Sequence, residues 1–291
     1  VIVTCNGEVL DEFKVNTKST FDIMLKAKDC IAACTKKLMK YKWNKTNLIV
    51  LRYEILALDW PLMDRRVKSF IKELEKKCSE HNVELLLLKG DSVPYSDSIH
   101  CTGYFDEQDE DSNRAVLACA LGDLSSVFVS TLVHESCHLD QWLQKAPVWG
   151  NNTSCGVVDL WLEGTEVKNI KKHLGQVRDL ELDCERRTSR KIVQYDLPIN
   201  VDEYIQKANS YIHLYNYIGI TRKWATPKNA PYKNENIWRN MPRTFRNKDY
   251  YKDLTPKVLK LFNENKVCGI WNEVISIVLG LTLFDKKLIY A

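Results

Sequence analysis

None of the ten cysteines belongs to a Cys-x-x-Cys pair; they lie scattered at positions 5, 30, 34, 78, 101, 119, 137, 155, 184 and 268 of a 291-residue chain. A disulfide scaffold is usually a small, densely cysteine-rich secreted domain, so these read as reduced thiols in a cytoplasm-like compartment. No stretch reaches the roughly 18 to 20 uninterrupted apolar residues of a membrane span. Residues 1–10 lack the basic and apolar regions of a signal peptide and read as a short strand. The expectation is a soluble, unexported chain with no membrane partner. Asn44 and Asn151 open glycosylation-type tripeptides, a pattern short enough to recur by chance. Internal repeats and low-complexity tracts are missing too, and with 45% hydrophobic and 27% charged residues the composition is that of a globular protein.

The net charge of +4 is small but unevenly placed. Residues 222–260 hold eleven Lys or Arg against three acids, which leaves the rest of the chain slightly acidic. Those cations alternate with Trp224, Tyr232, Trp238, Phe245, Tyr250 and Tyr251. Positive charge that tracks phosphates beside rings that stack on bases suits single-stranded nucleic acid or another anionic partner. It equally suits a loop whose rings pack inward while its cations face water.

Residues 47–56 (NLIVLRYEIL) and 83–88 (VELLLL) are short, apolar and strand-like. Between them, 63–81 carries Val67, Phe70, Ile71, Leu74 and Cys78 at a helical period. Two more strands are expected at 98–105 and 114–121. The acidic run Asp106 to Asp111 between them lacks the spaced ligands and glycine of a calcium loop and reads as a solvated hairpin tip. Gly122 and Asp123 supply a turn and an N-cap, and Pro147 a stop, for a helix over 124–144. Beyond Gly164 the pattern is helical at 165–195, 201–217, 255–263 and 271–283, and the Pro-spaced stretch 224–255 reads as a long loop or docking arm. This order predicts an α+β fold: a small mixed sheet packed on the 124–144 helix, followed by a mainly helical C-terminal part.

That helix carries Leu132-Val-His134-Glu135-Ser-Cys-His138, the H-E-x-x-H pattern. On a helix, residues i and i+4 share a face, so both imidazoles can reach one ion while Glu135 addresses a water beside it. Six histidines in 291 residues leave little room for a chance match. Against it stands the plain reading, in which Val129, Leu132, Val133 and Cys137 pack the helix and the histidines are merely half-buried polar residues.

A catalytic zinc takes three protein ligands, so a third is needed. The helix at 165–195 runs Val167, Ile170, Leu174, Val177, Glu181, Cys184, Thr188 and Ile192 along one stripe, and Glu181 interrupts its apolar character. A carboxylate there must be paired, with Arg178 or Arg186, or bound to metal. The expected ligands are therefore His134, His138 and Glu181, with Glu185 as the alternative third ligand or as a brace for a ligand histidine. Cys184 and Cys137 also lie beside the motif, and thiolates bind zinc; the angle of Cys137 favours packing. Tyr211, His213 and Tyr215 could stabilise an oxyanion or simply line a core.

The motif helix followed far downstream by Glu181-Leu-Asp-Cys-Glu185 resembles the gluzincin metallopeptidases, in which a Glu on a second helix completes the site and an acid one turn later braces it. The chain departs from thermolysin-type members in lacking Asn-x-x-x-Glu, and from peptide deformylases in lacking the Glu-Gly-Cys loop. Gly103 to Asp106, His134 to Trp142 and Glu181 to Glu185 also resemble uncharacterised proteins of tailed bacteriophages, over about the middle third of the chain. The resemblance implies a zincin-like catalytic domain over 1–200, a helical region over 201–291 bearing the basic aromatic arm 222–260, and a Zn2+ cofactor. It also implies Glu135 as general base and a protein or peptide substrate, in host cytoplasm or virion if the chain is phage-encoded. A Spartan-like protease of DNA-bound protein and a metal-stabilised virion component without turnover are the rival expectations.

Overall fold

The computed structural model describes residues 2–5, 8–12, 63–88, 90–95, 100–107, 114–122, 126–225 and 229–268, the first two segments and positions 94 and 100 as backbone only. The expected strand at 47–56, the helix at 271–283, most of the acidic hairpin tip and the Asp123 cap lie outside them. The described residues form an α+β structure with a small three-stranded mixed sheet followed by a mainly helical part, with seven α-helices in all. They divide into two compact units, residues 1–140 with 191–199, and residues 141–190 with 200–291.

In the first unit, β1 (Ile2–Cys5) and β2 (Glu8–Glu12) pair antiparallel. Helix α1 (Arg65–Glu80) starts at Asp64, whose carboxylate accepts from Arg66 N; an N-cap oxygen of this kind satisfies a backbone donor that the helix leaves open. The helix buries Val67, Phe70, Ile71, Leu74 and Cys78, the stripe expected from the sequence. Strand β3 (Glu84–Leu88) lies parallel to β7 (Val116–Ala120), and β6 (Gly103–Asp106) lies antiparallel on the far side of β7. A short ribbon of β4 (Val93–Pro94) and β5 (His100–Cys101) stands beside them. Every residue of β3 and β7 is buried, as strands covered on both faces must be.

Helix α2 (Ser126–Leu143) lies against this sheet: Cys119 Sγ of β7 is 3.9 Å from the Phe128 carbonyl, and Gly103 of β6 closes on Thr131. The expected packing of the sheet on the motif helix is thus present. Lys191 and Asp140 complete the unit with an ion pair at 2.7 Å.

The second unit is helical. Helix α2 ends at Leu143, before Pro147 as expected; Pro147 then opens a 3-10 turn (Pro147–Asn152) that runs into α3 (Thr153–Leu162), a helix the sequence pattern had not suggested. Helix α4 (Ile170–Gln194) begins five residues later than expected, after Asn169 adopts a left-handed φ of 58°. Helix α5 (Val201–Thr221) is capped by Asn200, which accepts from Glu203 N, and ends at left-handed Arg222. The Arg222 guanidinium then donates to the carbonyls of Trp161 and Thr165.

The described residues of the stretch read as a long loop or docking arm pack into this unit. They form two 3-10 turns (Pro231–Lys233 and Lys248–Tyr251) and the short α6 (Glu235–Trp238), and α7 (Pro256–Glu264) follows. Ile237, Trp238, Met241 and Tyr251 are buried. Irregular backbone can be buried only if its carbonyls find donors, and α5 supplies them. Gln206 donates to the carbonyls of Arg239 and Met241, Asn209 to that of Pro242, and Asn216 to that of Tyr251. Several of the segment's cations are paired, Arg239 with Glu235 and Lys252 with Asp249 within the segment, and Lys248 with Asp179 of α4. No helix among the described residues is long and apolar enough to cross a membrane.

Candidate metal centre

His134 and His138 sit one turn apart on α2, with the Nε2 atoms 3.2 Å apart and the rings edge to face at 81°. Two nitrogens that ligate one tetrahedral zinc at about 2.0–2.1 Å are themselves about 3.3 Å apart, so the pair fits a shared ion. Glu135, between them in sequence, is buried, as are Leu132, Val133 and Cys137 on the packing stripe.

His134, His138 and Cys184 each offer a ligand atom, all within 4.8 Å of one another, and this group could hold a metal ion. Glu181 lies one turn earlier on α4 and is buried with Leu174, Val177, Cys184, Thr188 and Ile192, as the stripe predicted. The arginines considered as its partners are engaged elsewhere. Arg178 donates to Asn216, the Lys252 carbonyl and Asp179, and Arg186 to the Arg246 carbonyl. Glu185 is buried too and accepts a hydrogen bond from the Tyr204 hydroxyl of α5. In the sequence Cys184 is a thiol on the stripe of Glu181, where the interrupting carboxylate is the stronger ligand signal. Tyr204 carried no signal at all, since its role depends on how α5 packs on α4.

Burial dominates the local electrostatics, and the carboxylates reinforce it. Burial, reinforced by the charge of Glu135, pushes the Cys101 thiol up to about 11 and that of Cys119 well above its usual range. Burial and the charges of Glu181 and Asp159 push Cys155 up to about 12. Tyr211 is likewise held protonated by burial and by Glu181, and its hydroxyl lies 2.7 Å from that of Tyr215. His213 has a different character. It is fully buried, packed against the rings of Tyr250 and Tyr251, and held neutral by burial and the Arg178 charge, with its pKa lowered to about 4.

Compared with protein-family models, curated proteins and solved structures, the chain shows no match in any of the three.

Proposed function

We propose that the chain is a zinc-dependent hydrolase of the zincin kind, acting on proteins or peptides as an endopeptidase. One observation carries this reading: two imidazole nitrogens 3.2 Å apart on one turn of helix, with a buried glutamate between them in sequence. When bound there, zinc supplies Lewis acidity and lowers the pKa of a water molecule towards about 7. Glu135 accepts the proton of the attacking water and returns it to the leaving amine, as a positioned carboxylate can. His134 and His138 would hold the ion together with a third donor from α4, either Cys184 or, as the sequence expected, Glu181.

A second reading, a metal that only stabilises the fold, is favoured by the buried thiol in the donor group, since closed structural zinc sites are rich in cysteine. Zinc analysis combined with hydrolysis of denatured casein by the full chain separates the two. The expected result is about one zinc per chain and chelator-sensitive cleavage. Glu135→Gln should keep the zinc and lose the cleavage. Zinc retained without any wild-type cleavage would favour the structural reading, and full zinc content in both His134→Ala and His138→Ala would overturn both.

A further inference from the structure

The glycines at 90, 122 and 164 have positive φ, but Gly103 does not; its backbone conformation is open to any residue. What Gly103 lacks is space. A Cβ built there would stand 2.7 Å from Thr131 Cγ2, 3.0 Å from the Ala118 carbonyl oxygen and 3.2 Å from Glu135 Cγ. The first contact is closer than carbon atoms approach without moving, and the third requires the glutamate stem to yield by a few tenths of an ångström. Gly103 pairs with Cys119 at the start of β6, on the strand that flanks β7 opposite β3. The bare backbone of β6 therefore forms a wall directly against the stem of Glu135.

We infer that Gly103 is a positioning residue for Glu135: its missing side chain lets β6 close on α2 and fixes the stem of the proposed general base. This rests on the hydrolase reading above for its consequence, but the geometry belongs to this chain's own residues. A general base displaced by a fraction of an ångström loses rate rather than metal, since placement errors near 1 Å cost about 100-fold.

The test uses Gly103→Ala, Thr131→Ser and the double variant in the full chain. Thr131→Ser removes the methyl that a new Cβ would strike first, so the double variant is relieved of the shortest contact and keeps those to the Ala118 carbonyl oxygen and Glu135 Cγ. Two readouts are needed. Compared with the metal-free wild type, a crystal structure of the metal-free double variant should show the Glu135 stem displaced, and kcat for casein should fall by up to about 10-fold in the double variant with KM and zinc content near wild type. A melting temperature restored by Thr131→Ser while kcat stays low is the expected signature. Recovery of kcat together with the melting temperature, or an undisplaced Glu135, would reduce Gly103 to a packing residue and overturn the inference. A wild type that cleaves nothing, with Glu135 still displaced in the variant, would overturn the hydrolase reading and leave the positional contact standing.

Discussion

Lys191 Nζ lies 2.7 Å from Asp140 Oδ2 and also donates to the Ser136 carbonyl and hydroxyl, so the end of α4 is tied to the turn of α2 that carries His138. Asp140 meets Lys77 of α1 on its other oxygen at 2.8 Å. Burial would raise the Asp140 pKa, but the charges and hydrogen bonds of Lys191 and Lys77 outweigh it and lower the carboxyl. Removing one partner of a buried pair strands the other. Asp140→Ala should cost about 2–4 kcal/mol in chemical denaturation, below the upper range for buried pairs because Asp140 retains some exposure. Lys77→Ala, whose side chain is 41% exposed, should cost less than about 1 kcal/mol. Equal losses in the two variants would contradict this ranking.

The folded-in segment depends on the amides of α5. Asn209 is fully buried, donates to the Pro242 carbonyl at 2.8 Å and accepts from the Tyr251 hydroxyl at 2.5 Å. Asn209→Ala strands the Pro242 carbonyl and the Tyr251 hydroxyl proton, although that hydroxyl still accepts from Arg246 N, and should cost about 2–4 kcal/mol, given about 1–3 kcal/mol for each stranded buried group and some relaxation. Limited proteolysis should then cut first within 239–252. Unchanged stability with wild-type cleavage sites would show that the segment is held by its apolar residues alone.

How much of this was legible follows from what each feature depends on. The α1 stripe and the paired histidines depend on helical period, which is local, and both were readable. The α3 helix was not, because a proline followed by Gly150 and Gly156 looks like a break until the 3-10 turn is seen to lead into a helix. Composition marked 222–260 as basic and aromatic, yet the amides that bury its backbone sit on another helix. The third ligand was ambiguous for a similar reason. Glu181, Cys184 and Glu185 are all buried, so the position of a residue on the α4 stripe does not by itself tell a ligand from a neighbour.

His213 predicts a pH dependence. Its ordinary pKa of 6.5 is lowered to about 4 in the folded protein, by burial first and then by Arg178. The unfolded chain therefore takes up the proton first, and stability is full above about pH 6.5, falls as pH drops towards about 4, and then levels off. The total amounts to about 3 kcal/mol for this one group. His213→Phe keeps a ring against Tyr250 and Tyr251 and removes the titration. Urea midpoints of the two proteins should converge or cross as pH falls through that window; a constant gap would mean that His213 does not titrate between the two states.

Cobalt can decide the third donor, because a thiolate bound to Co2+ adds an intense ligand-to-metal charge-transfer band that imidazole and carboxylate do not. His134, His138 and Cys184 offer donor atoms within 4.8 Å of one another, whereas the sequence pattern pointed to Glu181. If Cys184 is the ligand, the cobalt-loaded chain shows the band, Cys184→Ala abolishes it and empties the zinc site, and Glu181→Ala keeps it. If Glu181 is the ligand, the wild type shows no such band and Glu181→Ala loses the metal outright. Glu185 accepts from Tyr204, and as a brace for a ligand it would act as an outer partner in either case. Glu185→Ala and Tyr204→Phe should then weaken zinc binding together, by about 10- to 100-fold for the former, as the loss of an outer-shell partner does. The donor group found here favours the first pattern. A band that survives Cys184→Ala would instead require another of the chain's thiols to reach the metal and would remove Cys184 from the site.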